Sequence, residues 1–539
     1  MSTFLNCCKP RNIFVASMAM ALILGVMLRL YNLLGSGFFF YDEGLYLNHN
    51  LLALEWIRKY HPQGMADNVR AFLAYLKIAL GSGKSLWFLV IDSRFLIGGI
   101  HVWSFAKGAA CFFGLMVLPI AYAFAKRFYR SKDVALLTVG LMALLPGAVF
   151  YSRIALQEAF STVLVLSGFY VYLFFRRFEW RVILSGVILA AAFFANYRLL
   201  MLPFLVLAAE SWVAVSQKKA FNARQYIWFC ISFFACVVLI GSVLDAANMR
   251  VVFSWVFHQE QMASEQFSWM NLMSYPYYLF RLETWPFAFC FFAGISYMVW
   301  RRRWVFFLPA ILVLVQMGVF SLTSEKGARY IAVVLPFVCM VVSYGLLSMW
   351  EETRRHWRRG LLLFAACVLI FMAAKSIQLS QASSAHEKAV KELLSRDPDV
   401  KFFSSQELVD VLYLEKKDNV QAIPRDFQKF SEGFEKGYRY LILDPQSYVS
   451  LTQGAKFTKG LREYLGFIDG FQVPTRTYPH MNRAFLDRFV LEHSESLSES
   501  IAFINNKDIA KFSSLRVYDL SYVVPQMRRF VDLMKMKKP

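Results

Sequence analysis

A chain of 539 residues that is 58% hydrophobic and 17% aromatic, with a mean hydropathy of +0.43, is too apolar for a soluble domain of ordinary composition and reads as a polytopic α-helical membrane protein. The formal charge of +21 does not indicate a nucleic-acid partner, because the basic residues gather in short runs between apolar segments, where they set topology. Cys7 and Cys8 precede the first apolar run, and the other six cysteines lie inside such runs. That distribution argues against a disulfide framework, and no CxxC metal-ligand spacing occurs.

The first apolar run, Ile13 to Leu34, is long enough to span and lacks a small-residue cleavage site, so it reads as a retained helix. Arg29, near its outer end, is the kind of side chain that snorkels to the interface. At roughly 20 apolar residues per crossing, further spans fall near 101–125, 133–150, 159–175, 181–195 and 199–215. Five more fall near 226–245, 283–300, 304–321, 330–349 and 360–378, about eleven in all.

The loops test this reading. Lys126, Arg127, Arg130 and Lys132 follow the second span, Arg176, Arg177 and Arg181 the fourth, and Lys218, Lys219 and Arg224 the sixth. Arg301, Arg302 and Arg303 follow the eighth, and Arg354, Arg355, Arg358 and Arg359 the tenth. Every even-numbered exit is basic, which predicts a cytoplasmic N-terminus and places residues 381–539 outside. Residues 1–380 then form the membrane-embedded domain, with two long outside segments at 35–100 and 246–282. "VRAFLAYLKIAL" in the first has the pattern of an interfacial helix. After residue 380 short apolar runs ("VKFF", "VQAI", "YRYLILD", "LRVYDL") alternate with polar helical ones. That alternation predicts a small α/β domain with a mostly parallel sheet.

If basic runs belong inside, the informative charges sit outside at helix ends. Asp42 and Glu43, in "FFFYDEGLYLN", follow the first span; Arg153 and Glu158, in "YSRIALQEAF", lie at the third-to-fourth turn. Arg198 lies at the fifth-to-sixth turn, and Lys326 and Arg329, in "SEKGARYIAVVLP", at the ninth-to-tenth. Parity alone brings these positions to one membrane surface. A carboxylate there can serve as a general base, and Arg and Lys can hold a phosphate through charge-assisted hydrogen bonds. Ionisable groups at membrane depth are functional candidates by default. "LGSGKSL" is no nucleotide loop, since Ile78 stands where the phosphate-loop motif needs its first glycine.

In this order, "RLYNLLGSGFFFYDEGLY", "YSRIALQEAF" and "KGARYIAVVLPF" resemble the membrane glycosyltransferases of the C fold, close to the protein O-mannosyltransferases and the lipid A aminoarabinose transferases. The resemblance covers roughly residues 10–380. It implies transfer of a sugar from a polyprenyl-phosphate donor to an envelope acceptor on the extracytoplasmic face, with inversion at the anomeric carbon. It assigns the base to Asp42, with Glu43 beside it, and a second acidic role to Glu158. Lys84 in "GKSLWF" matches a phosphate-binding element that in relatives contains proline. Where relatives carry Thr-Lys-Gly this chain has Asn196, Tyr197 and Arg198, which keeps the positive charge. Arg153, Lys326, Arg329 and Tyr330 complete the expected phosphate-binding set. No cofactor is required and a divalent metal is not indicated. A bacterial plasma membrane is the expected location; a transporter or flippase of lipid-linked sugar is the rival reading.

Overall fold

The computed structural model describes residues 10–60, 84–93, 102–175, 180–244, 269–322, 327–424, 426–446, 465–470, 472–493, 497–506 and 513–536. The chain divides into two compact units, Met1–Leu33 with Ala53–Ser380, and Leu34–Leu52 with Gln381–Pro539. Residues 34–52, expected within the membrane-embedded domain, thus group with the C-terminal one. The expected interfacial helix "VRAFLAYLKIAL" and the segment 246–268 lie outside the described residues.

In chain order the principal helices up to residue 380 are α1 (Pro10–Leu30), α2 (Tyr41–Tyr60), α3 (Ser85–Asp92), α4 (Val102–Tyr129) and α5 (Lys132–Leu144). Next come α6 (Pro146–Tyr151), α7 (Glu158–Phe174), α8 (Arg181–Ala195), α9 (Leu202–Ser216) and α10 (Ala223–Leu244). Last are α11 (Ser274–Leu282), α12 (Trp285–Trp300), α13 (Leu308–Ser321), α14 (Leu335–Glu352) and α15 (Arg355–Ser380). Among the described residues seven helices are long and apolar enough to cross a membrane, and α7, α8 and α12 are shorter apolar helices. The chain is a multi-pass membrane protein.

The expected crossing at 133–150 is not one helix. Pro146 supplies no N–H and pushes the residue before it out of the α region, and Leu145 is extended, at φ −63° and ψ 122°. The break leaves the last carbonyls of α5 and the first amides of α6 without helical partners, in surroundings where water cannot replace them. Side chains do so instead. Arg29 donates from Nη1 to Ala143 O (2.6 Å) and from Nη2 to Met142 O (3.2 Å). Ser376 Oγ of α15 donates to Leu144 O at 2.8 Å. On the other side the Gly147 N–H donates to Glu283 Oε2 at 2.7 Å.

Arg29 therefore does not snorkel. It is fully buried, and its Nε also donates to Ser152 Oγ at 3.2 Å. Gly25 lets the backbones meet: a Cβ there would lie 2.5 Å from Ala143 O. One turn on, Arg153 donates to the carbonyls of Leu28 (2.8 Å), Tyr31 (2.5 Å) and Ser380 (2.9 Å), fastening the end of α1 and the end of α15 to the turn before α7.

Among the described residues of this unit three helices begin with a tighter 3₁₀ turn: Tyr197–Met201 before α9, Trp304–Phe307 before α13 and Ala328–Val334 before α14. Each of these helices has proline at its second residue, Pro203, Pro309 or Pro336. Proline at a helix start costs no hydrogen bond but prevents the α-helix from extending backwards through it.

In the second unit α16 (His386–Arg396), α17 (Phe427–Glu435), α18 (Arg483–Glu492) and α19 (Leu520–Met536) accompany β1 (Lys401–Ser404), β2 (Val420–Ala422), β3 (Tyr438–Leu443), β4 (Arg476–Pro479) and β5 (Ser514–Asp519). The sheet order is β2-β1-β3-β5-β4. β1 pairs parallel with β2 and β3, whereas β3–β5 and β5–β4 are antiparallel, so the sheet is mixed rather than mostly parallel. Phe402 and Ile442 face one apolar core of the sheet, and Phe403 and Leu441 the other.

Arg29→Ala is expected to destabilise the protein by about 1–3 kcal/mol for each α5 carbonyl left unpaired, seen as a lower melting temperature in detergent. Arg29→Lys, with fewer donors, should fall between. An unchanged melting temperature for both would show that the broken helix does not depend on this side chain.

Candidate functional site

In the first unit one carboxylate and three cations come together from four separate stretches of chain. Glu158, the first residue of α7, is 1% exposed. Neither of its carboxylate oxygens has a hydrogen-bond partner among the described residues. The side chains acting on it electrostatically are Arg329, Lys84 and Arg198. A buried carboxylate without hydrogen bonds is costly to keep, and the neighbouring cations offset part of that cost.

Local structure explains each arrival. Lys84 stands at the start of α3, whose Trp87, Phe88 and Ile91 are buried. Trp87 faces Phe160 of α7 at 6.2 Å between ring centroids, and Ser85 Oγ donates to Phe194 O at 3.4 Å, so α3 is fastened to both α7 and the end of α8. Arg198 is carried by the 3₁₀ turn after α8, where Asn196 Oδ1 accepts from the Arg198 N–H at 3.3 Å. Its guanidinium lies 4.5 Å from the Tyr330 ring centroid, a cation–π contact. Arg329 and Tyr330 share the 3₁₀ turn before α14, and Gln316 Nε2 of α13 holds that turn by donating to Tyr330 O at 2.8 Å.

Of the residues expected from the sequence, Lys84, Glu158, Arg198 and Arg329 meet. Tyr330 is present as the platform under Arg198. Arg153 does not join them, because its guanidinium is spent on backbone carbonyls. Lys326 lies outside the described residues. Asp42 and Glu43 belong to the second unit. There Glu43 is fully buried and its Oε2 accepts from the Phe39 and Phe40 amides at 2.9 and 3.2 Å, which caps the start of α2. Asp42 is half-buried. Phe39 and Phe40 pack on Phe485 (4.2 Å) and Phe489 (5.0 Å) of α18.

Two residues escaped sequence reasoning. Gln157 and Ser161 flank Glu158, are fully buried, and have side-chain polar atoms without partners among the described residues. Their signal was the polar cluster "QEAFS" opening an apolar helix.

The second unit contains another buried polar group, His386, Asp444 and His480, with donor atoms within 4.8 Å of one another. As a cation site it fails on a tautomer. His480 Nδ1 accepts from the Ala385 N–H at 3.0 Å, so the neutral ring carries its proton on Nε2, the atom that faces Asp444 and would have to bind the ion. His386 Nδ1 pairs with Asp410 Oδ1 at 2.8 Å, and its Nε2 lies 3.5 Å from Asp444 Oδ2. Burial lowers the His386 pKa, but Asp410 and then Asp444 carry it up to about 10. Burial first, and the charged His386 second, hold His480 at about 3.

The signs give a pH profile. His386, raised above its ordinary 6.5, contributes stability that is complete below about 6.5 and lost as pH rises towards 10. His480, lowered from 6.5, contributes stability that is complete above about 6.5 and lost as pH falls towards 3. Hydrogen exchange in the second unit of the full-length protein should therefore be slowest near neutrality once corrected for intrinsic rates. Asp410→Asn should weaken the alkaline dependence; an unaltered profile would remove the ion pair from the account.

No curated protein sequence matches this chain. The family model described as dolichyl-phosphate-mannose-protein mannosyltransferase matches residues 67–258. Among solved structures, the Archaeoglobus fulgidus oligosaccharyltransferase tethered to an acceptor peptide superposes with a TM-score of 0.55 at 12% identity, covering 84% of this chain and 72% of that one. The same organism's oligosaccharyltransferase AglB, in complex with an inhibitory peptide and a dolichol-phosphate, gives 0.54 at 12% identity, with the same coverage. ArnT from Cupriavidus metallidurans, in the apo state, gives 0.50 at 14% identity, covering 82% of this chain and 94% of that one. The chain thus has the fold of the C-type membrane glycosyltransferases.

Proposed function

We propose that the protein is a glycosyltransferase that moves a hexosyl or pentosyl group from a polyprenyl-phosphate donor to an acceptor of the cell envelope. The observation that carries this reading is Glu158: a buried carboxylate with no hydrogen-bond partner among the described residues, set among Lys84, Arg198 and Arg329. The matching mannosyltransferase family model and the dolichol-phosphate held by a protein of the same fold support a lipid-phosphate donor.

The charges of this group suit the reaction. Three cations act on the one carboxylate. The phosphodiester of a polyprenyl-phosphate sugar carries one negative charge, and the polyprenyl phosphate that leaves carries two. The cations therefore favour the departing group over the bound donor, which is the differential stabilisation that catalysis requires. An acceptor hydroxyl or amine attacks the anomeric carbon, the carbon–oxygen bond to phosphate breaks, and its electron pair goes to the phosphate oxygen. Glu158 takes the acceptor's proton. With one phosphate as leaving group and three cations facing it, the reaction as written calls on no metal.

Lys84 and Arg329 hold the phosphate, and Arg198, steadied over Tyr330, holds its angle. Asp42, to which the resemblance gives the role of base, is assessed by its own substitution. The proposed setting is a bacterial plasma membrane, with the N-terminus cytoplasmic and the C-terminal unit extracytoplasmic, where acceptors of the envelope are found.

The test is transfer of labelled sugar from a panel of polyprenyl-phosphate sugars in membranes bearing wild type, Glu158→Gln, Arg329→Ala or Asp42→Asn. Wild type should transfer from one donor. Glu158→Gln should lower kcat by about 10²- to 10⁴-fold, the range of general-base help, with little change in melting temperature. Arg329→Ala should lose transfer as well. Labelled donor crossing the bilayer unchanged, with no transfer by wild type, would instead establish a transporter.

A further inference from the structure

The other end of α7 borders a second feature. The C-terminal ends of α4, α7 and α9, with the 3₁₀ turn before α13, enclose a cavity of about 1320 Å³. α7 has 17 residues, so the cavity stands about 25 Å from Glu158 along the helix axis and is a separate site.

Its lining divides by chemistry. Phe174, Trp212 and Phe306 belong to its walls, and Lys126, Arg127 and Arg130 also border it; among the described residues none that lines it is acidic. The three cations are exposed. None of them takes part in an ion pair among the described residues; Lys126 sits 5.7 Å over the Tyr122 ring. Trp212 is fixed in place, its Nε1–H donating to Trp304 O at 2.9 Å and its ring meeting that of Trp304 edge-on at 6.1 Å. Paired tryptophans beside basic residues at helix ends mark the level of lipid headgroups.

The basic run follows a crossing and topology accounts for its charge. It does not account for an aromatic-walled cavity behind that charge. The three helix C-termini bring about half a negative charge each, fewer than the three full positive charges at the rim. An anion is therefore still attracted there. A ligand that fills the site needs one anionic group for the rim and apolar chains for the walls.

We propose that this cavity binds an anionic glycerophospholipid, its phosphate between Lys126, Arg127 and Arg130 and its acyl chains along Phe174, Trp212 and Phe306. Its source is the bulk lipid of the membrane rather than the polyprenyl phosphate of the reaction.

The experiment is native mass spectrometry of the full-length protein released from micelles containing phosphatidylglycerol or phosphatidylcholine. Wild type should retain phosphatidylglycerol in preference. K126Q/R127Q/R130Q should weaken retention roughly fivefold for each charge removed and about a hundredfold in all. R354Q/R359Q, exposed residues outside the cavity, should leave it unchanged. R130Q alone, with a wild-type melting temperature, provides the reading if the triple variant does not fold. Equal retention of phosphatidylcholine, equal loss in the control, or displacement of the phospholipid by equimolar polyprenyl phosphate would each overturn the proposal.

Discussion

A helix that stops inside a membrane-spanning bundle must find partners for its bare carbonyls and amides, and the stop at Leu145 is the constraint on which the rest of the first unit depends. Arg29 and Ser376 take the carbonyls and Glu283 takes an amide. These partners come from α1, from α15 and from the residue after α11, so one broken helix draws together elements at both ends of the unit. Arg153 then repeats the device one turn later. What the break achieves is a chain that turns after Tyr151 and delivers Glu158 to the start of α7.

The same economy governs the candidate site. Lys84, Arg198 and Arg329 come from separate turns, and two of those turns are 3₁₀ segments imposed by a proline just downstream. A tight turn anchored by a buried carbonyl contact holds a long side chain better than an open loop would, because less of its freedom remains to be lost on binding. Tyr330 contributes in this way: its ring steadies Arg198 and its backbone is tied to Gln316.

How much of this was legible in the sequence follows from the kind of signal involved. Apolar length and the alternation of basic exits announce crossings and their parity, because the membrane imposes both. They do not announce breaks: Pro146 stands inside a run apolar enough to count as one span. Charge identity is equally blind to partners. Arg29 near a helix end reads as a snorkelling side chain until Ala143 and Met142 are seen beside it, and Arg153 looks like a phosphate ligand until its carbonyls appear. Glu43 resembles a catalytic neighbour of Asp42, yet it bonds the amides of two residues just before it, a purely local act. Strand β4, "RTYP", has too few apolar residues to show any period, and β5, although its apolar run is legible, carries no sign of the antiparallel pairing with β3 that makes the sheet mixed. Glu158, Arg198 and Arg329 were legible because three helix ends of equal parity had to share a surface.

Lys84, Arg198 and Arg329 are proposed to hold the phosphate of a lipid-linked sugar with Glu158 beside it. The most direct measurement is a cryo-electron microscopy structure of the full-length protein with a non-transferable polyprenyl-phosphate sugar. Phosphate density is expected within hydrogen-bond distance of Arg329 and Lys84, and the anomeric carbon next to the Glu158 carboxylate. Donor density elsewhere, with Glu158 still enclosed by the same three cations, would contradict it and leave the cluster a structural ion network.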